Sequence, residues 1–166
     1  MGKEIDAHMA NVNHVKQPNS RMCFACGIEN PIGLGLKFYE IGPGEIVAEP
    51  ILSEAYQGYP GVVHGGIVAC MLDEAAGRAV LVGDHNHFRL TAKLEIRFRK
   101  PVPTNQPLRL LGRVINQRGK VATAYAEITL PDGSVASEAN AVLIDLPEYQ
   151  VDDETLEALG WKVYPD

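Results

Sequence analysis

Val63-His64-Gly65-Gly66-Ile67-Val68-Ala69-Cys70-Met71-Leu72-Asp73-Glu74 joins a tight His-Gly-Gly turn to an apolar run that ends in two acids. No proline occurs from Gly65 to Val82, and Gly77 is the only interior glycine, so the spacing predicts one long helix. Ile67, Val68, Ala69, Met71, Leu72, Ala75, Ala76, Ala79, Val80 and Leu81 cover nearly its whole circumference, the mark of a buried helix. Its length approaches a bilayer span, but Asp73, Glu74 and Arg78 argue against one. A carboxylate on a buried helix is costly unless it is paired, hydrogen-bonded or used. The two glycines let a substrate reach backbone N–H groups at the helix N-terminus, where partial positive charge gathers. A turn that attracts a developing oxyanion, with a carboxylate further along the same helix, supplies parts of an acyl-transfer site.

The rest of the chain surrounds this helix with strands. Residues 1–20 are polar, contain His8 and His14, and read as a short helix or a loose surface segment. Cys23 to Leu36 is rich in Gly, Pro and Asn and reads as an ordered loop. Leu36–Ile41 and Glu45–Leu52 form a hairpin about Gly42-Pro43-Gly44. After the helix come four strand-like runs, Leu90–Lys100, Leu108–Asn116, Val121–Leu130 and Val135–Asp145, expected as a meander. Leu94, Ile96 and Phe98 alternate with Lys93, Glu95, Arg97 and Arg99, giving the sheet one apolar face. A short helix from Asp152 to Leu159, stopped by Gly160, ends the chain. The reading is α+β, one long helix wrapped by a curved antiparallel sheet of about six strands. It divides into an N-terminal extension (1–22), a domain (23–147) and a tail with a short helix (148–166).

Composition narrows the function. The chain has 166 residues, 46% apolar and 22% charged, which suits one globular domain. A net charge of −6 gives no reason to expect nucleic acid, and no signal peptide or membrane span is visible, so a cytoplasmic location is expected. Three cysteines are too few for a disulfide framework. Cys23-x-x-Cys26 is half of a zinc site whose second half is missing; His85 and His87 would complete it only by coincidence of folding, so no metal is expected. A thioredoxin-like redox pattern is also absent.

The order of elements resembles the hotdog fold. More narrowly, Tyr59-Pro60-Gly61-Val62-Val63-His64-Gly65-Gly66 with Met71-Leu72-Asp73-Glu74 resembles the acyl-CoA thioesterases of the phenylacetate-pathway (PaaI-like) group. Cys23-Phe24-Ala25-Cys26-Gly27 with Asn30-Pro31-Ile32-Gly33-Leu34, and Ile96-Arg97-Phe98 with its following prolines, extend the resemblance over roughly Cys23 to Leu146. It implies hydrolysis of an acyl- or aryl-CoA thioester, with Asp73 as nucleophile or general base. Thr91 would orient the acid or the water, and the Gly65/Gly66 amides would hold the oxyanion; His64, read from its place beside the two glycines and Asp73, is a candidate catalytic residue touching substrate, with a helix-start residue bonding the backbone as its plainer role. Relatives carry Asn or Gln six residues before the motif histidine; here Gly58 stands there with Gln57 beside it, and both are candidate substrate contacts. No cofactor is implied, because coenzyme A belongs to the substrate.

Each feature has a plainer reading. Asp73 on its own could form a structural ion pair with Arg78, and Glu74 is the fallback acid, about 100° away round the helix. Thr91 shares parity with the polar row Lys93, Glu95, Arg97, so a bulge or a subunit interface must present it to the site. Arg97, Arg99, Lys100, Arg109, Arg113, Arg118 and Lys120 form either a solvated sheet face or a landing surface for the phosphates of coenzyme A. Competing functions are a hotdog dehydratase or hydratase, whose Asp-x-Asn-Pro-x-His pattern is absent, and a non-catalytic acyl-CoA-binding protein. Gly66 and Asp73, seven residues apart, are separated by about 10 Å along one helix. One helix can hardly bring both to one carbonyl, which predicts a site shared across the dyad of a homodimer, alone or within a dimer of dimers.

Overall fold

The computed structural model describes residues 14–145 and 147–166. His8 therefore lies outside the described residues, whereas the described part of the N-terminal segment is neither helix nor loose surface: Val15–Lys16 form a strand, and Gln17, Asn19 and Ser20 are buried. The elements in order are β1 (Val15–Lys16), β2 (Tyr39–Gly42), β3 (Glu45–Ala48), α1 (Gly65–Val80), β4 (Leu90–Phe98), β5 (Arg109–Arg118), β6 (Val121–Thr129), β7 (Val135–Ile144) and α2 (Asp153–Leu159). The strands form one antiparallel sheet with α1 packed on one face, as the sequence pattern requires. The sheet has seven strands rather than about six, the extra one being the two-residue β1 paired with β2.

The expected four-strand meander is corrected. The sheet order is β1-β2-β3-β5-β6-β7-β4, so only β5, β6 and β7 run as a meander. After α1 the chain crosses to the far edge and lays β4 beside β7, while β3 pairs with β5. Alternation within a strand fixes which face is apolar but not which neighbour it takes, and the β3–α1–β4 crossover decides that. As an edge strand β4 is only half covered: Leu94 and Ile96 pack against the core, whereas Phe98 is 59% exposed.

The helix lies close to the sheet because small residues face it. Ala122, Ala124 and Ala126 of β6 and Ala139 and Ala141 of β7 are buried, as are Ala75, Ala76 and Ala79 of α1. Gly112 of β5 sits where a Cβ would collide with the Ala75 carbonyl. Larger residues fill the spaces left around this contact, among them Phe38, Ile46, Met71, Leu72, Leu110 and Ile128.

Gly112→Ala therefore forces helix and sheet apart and should cost about 2 kcal/mol. Gly77→Ala is the contrast. Its Cβ meets only Leu143 Cδ2 at 3.9 Å, an ordinary contact, and alanine favours a helix interior by about 0.5–1 kcal/mol. Denaturant midpoints should fall for the first variant and hold or rise for the second; equal midpoints would contradict the close-approach account.

Candidate active site

His64 ends the loop in an extended conformation and caps α1 with its ring: Nδ1 accepts the Gly66 N–H at 2.9 Å. The imidazole thus does what a Ser or Asp side chain does at most helix starts. An accepting Nδ1 places the ring proton on Nε2. The backbone carbonyl of His64 takes the N–H groups of Ile67 and Val68, at 2.9 and 3.0 Å. The Gly66 amide is therefore already engaged, which corrects its expected role as a free oxyanion donor. Among the described residues the Gly65 N–H has no partner, and it is the amide left to serve a ligand.

This end of the helix opens on a cavity of about 450 Å³ lined by His64, Gly65, Gly58, Tyr59, Phe98, Arg99 and Lys100, among others. Gly58 packs against His64, where a Cβ would lie 3.2 Å from the His64 Cα. Gln57 is exposed and does not line the cavity. Of the basic residues, Arg99 and Lys100 reach this cavity, while Arg113 stacks on Tyr125 with 4.7 Å to the ring centre.

Two turns further along α1 the acid pair divides. Glu74 Oε1 accepts from Arg78 Nε at 2.8 Å. Arg78 is buried, lies between the rings of Phe38 and Trp161, and donates through Nη1 to the Pro18 carbonyl at 2.6 Å. The structural ion pair thus belongs to Glu74 and not to Asp73. Asp73 is only half-buried, and its Oδ1 accepts from Thr91 Oγ1 at 2.7 Å. Thr91 reaches it because the β4–β7 register shifts between Thr91 and Lys93, a bulge that turns the threonine off the parity of its strand.

Asp73 and Thr91 share a cavity of about 580 Å³ with Cys23, Cys26, Glu74, Phe88, Leu143 and Trp161. That volume suits a small-molecule group, and the mixture of apolar wall and few polar atoms is the usual composition of such sites. Several lining residues are not among the sequence candidates: Ser20 and Arg21 near the start of the described chain, Phe88 in the loop after α1, and Trp161 after α2. Trp161 rests edge-on against Phe88 and donates its Nε1–H to the His85 carbonyl at 3.1 Å. The only tryptophan of the chain, set in a polar tail, was the available signal.

The cysteines behave unlike one another. Cys23 is held down to about 6, chiefly by the hydrogen bond from Cys26, and Cys26 is pushed up by the same bond and by burial. Burial, with help from Glu74, raises Cys70 to about 11. His85 and His87 are tied to Glu40 and Asp145, at 2.6 and 2.8 Å, and so do not join the cysteines.

Along the chain, the model of the Thioesterase superfamily matches residues 60–137. The chain is 30% identical to a crystallised thioesterase superfamily protein, with a TM-score of 0.70 over 75% of this chain and 61% of that one. It thus spans less than two thirds of that relative's length. It is 27% identical over 64% of its length, and 75% of the relative's, to a Saccharolobus solfataricus protein whose name assigns it provisionally to the esterases. A hypothetical thioesterase from Streptococcus pneumoniae, solved with coenzyme A, shares the fold at 18% identity and TM-score 0.60, over 66% of this chain and 86% of that one. The seven-stranded sheet around one long helix, with the His64-Gly65-Gly66 turn at its head, is the hotdog fold, and over residues 60–137 the chain is similar to the Thioesterase superfamily, in keeping with the PaaI-like resemblance of its motifs.

Proposed function

We propose that the protein is an acyl-CoA thioesterase, hydrolysing an acyl- or aryl-CoA thioester to the free acid and coenzyme A. The observation that carries this reading is Asp73, a carboxylate held by Thr91 on the wall of a cavity large enough for an acyl group. Its Oδ2 is unpaired among the described residues and is the oxygen that acts. It either takes a proton from water as that water adds to the thioester carbon, or adds to the carbon itself. The carbonyl oxygen gains charge at the Gly65 N–H and the positive end of the α1 dipole. The C–S bond then breaks and the coenzyme A thiolate leaves; where Asp73 itself has added, water then hydrolyses the acyl–Asp73 anhydride, releasing the acid and restoring the carboxylate. The relative solved with coenzyme A supports this ligand class. Arg99 and Lys100, beside the Gly65 cavity, suit the phosphates. The reaction needs no cofactor, and a cytoplasmic location fits it; among the described residues no helix is long and apolar enough to cross a membrane.

Gly65 and Asp73 lie eight residues apart, about 12 Å along α1. They open on two different cavities. A reacting carbonyl must meet both within about 3–3.5 Å. The site is therefore shared by two copies, with their helices antiparallel across a dyad, in a homodimer or a dimer of dimers. The free outer edge of β4, with Leu90 40% and Phe98 59% exposed, supports pairing of this edge between copies.

Asp73→Asn keeps the side-chain shape but can neither attack nor accept a proton. It should lower kcat roughly 10²- to 10⁴-fold with KM little changed, measured as thiol release from a panel of acyl- and aryl-CoAs. A variant with near wild-type kcat would remove Asp73 from the mechanism. A wild-type protein that binds the panel without releasing thiol would make it a binding protein instead.

Gly65→Pro tests the other half. Proline is tolerated at the first position of a helix, and His64 already has the extended backbone that a residue before proline adopts, so the helix should survive without its free amide. Activity should fall by about 10²- to 10³-fold. Mixing this chain with the Asp73→Asn chain should restore one competent site per mixed dimer, about a quarter of wild-type activity at equal random mixing. Verified mixed dimers with no recovery would place both groups in one chain.

A further inference from the structure

The wall of the acid cavity holds a second cluster that the thioesterase reading does not use. The sulfurs of Cys23 and Cys26 and a carboxylate oxygen of Glu74 all lie within 4.8 Å of one another. The loop is shaped to present the two sulfurs together. The Gly27 N–H returns to the Cys23 carbonyl at 2.7 Å, and the Cys26 N–H donates to Cys23 Sγ at 3.4 Å. A Cβ at Gly27 would collide with the Cys23 backbone, so the turn requires glycine there. The third donor comes from α1. Glu74 gives Oε1 to Arg78, a bond that fixes the carboxylate's orientation and leaves Oε2 over.

Charge and hydrogen bonding point the same way. The buried Nη2 of Arg78 has no hydrogen-bond partner among the described residues. Two thiolates and the Glu74 carboxylate balance one guanidinium and one divalent cation. Two sulfur donors select against magnesium and calcium, and the third, an oxygen, is within the range that zinc accepts. The sequence reading sought the missing half of this site among cysteines and histidines; the fold supplies a carboxylate from the helix.

We propose that Cys23 Sγ, Cys26 Sγ and Glu74 Oε2 bind a thiophilic divalent cation of the zinc class, tying the loop to α1 and leaving a fourth position open to the acid cavity. The site stands on the geometry of these three residues and not on the thioesterase reading.

The test is a titration of the reduced, chelator-stripped full-length protein with Co²⁺ as the probe, followed by its displacement with Zn²⁺. Wild type should develop a thiolate-to-cobalt charge-transfer absorption that saturates near one equivalent and is lost on adding zinc. Cys23→Ala and Cys26→Ala should each weaken the absorption and lower the affinity by at least roughly tenfold, while Asp73→Asn keeps both. Reduced, folded wild-type protein that gives no such absorption overturns the proposal, whether or not its thiols then oxidise to a disulfide. So does an absorption that survives with both cysteines replaced. The wild-type spectrum decides the matter even where a cysteine variant fails to fold. Because no activity is read, a failure here is separable from a failure of the thioesterase reading.

Discussion

A cation buried in the middle of the molecule determines how its two acids are used. Arg78 sits inside with 2% of its surface exposed, and an unpaired charge there would be prohibitive. It is paired by Glu74 one turn back on the same helix, bonded to the Pro18 carbonyl, and covered by Phe38 and Trp161. Segments from both ends of the described chain therefore close over one guanidinium. Gln17 adds a bond from its side-chain amide to the Arg78 carbonyl, at 3.1 Å. With Glu74 Oε1 committed to Arg78, Asp73 is the acid of the pair that lies free of the ion pair, and among the described residues its side-chain partner is the Thr91 hydroxyl.

The same helix that carries the acid also carries the cap, and its rigidity keeps them apart. A side chain can adjust by an ångström or two; eight residues of α-helix cannot be shortened. Cavities at the two ends of α1 are thus separate features of one chain, lined by different elements. The proposed second copy would answer a geometric need as well as cover an exposed edge. The close fit of α1 on alanines and Gly112 adds to this, because a helix pinned so tightly has little freedom to slide toward either end.

Much of this was legible in the sequence, and the rest failed for identifiable reasons. The long helix, the apolar strand faces and the α+β pattern follow from periodicity and turn residues, the hotdog arrangement was implied by the resemblance of the element order and the His64-Gly65-Gly66 motif, and the architecture agrees. Strand parity alone required a bulge or a subunit interface to present Thr91, and of the two a register shift between Thr91 and Lys93 is present. The place of β4 was not legible, since hydrogen-bonding partners of an edge strand leave no trace in its own pattern. The Gly66 amide is taken by the His64 ring, which agrees with the plainer reading of His64 as a helix-start residue bonding backbone; which amide the ring takes is a matter of one rotamer and leaves no trace in the sequence. Glu74 could not be joined to Cys23 and Cys26, since nearly fifty residues separate them and only the packing of the loop on α1 brings them together.

The central claim is that one thioester carbonyl meets Asp73 of one copy and the Gly65 amide of another. It is tested most directly by a crystal structure with a ketone analogue of acyl-CoA, in which a methylene replaces the thioester sulfur. The account predicts the carbonyl carbon about 3–3.5 Å from the Asp73 carboxylate, or from a water that it holds, with the carbonyl oxygen on Gly65 N–H of the second copy. A carbonyl bound between Gly65 and Asp73 of the same chain, or bound out of reach of Asp73, would contradict it.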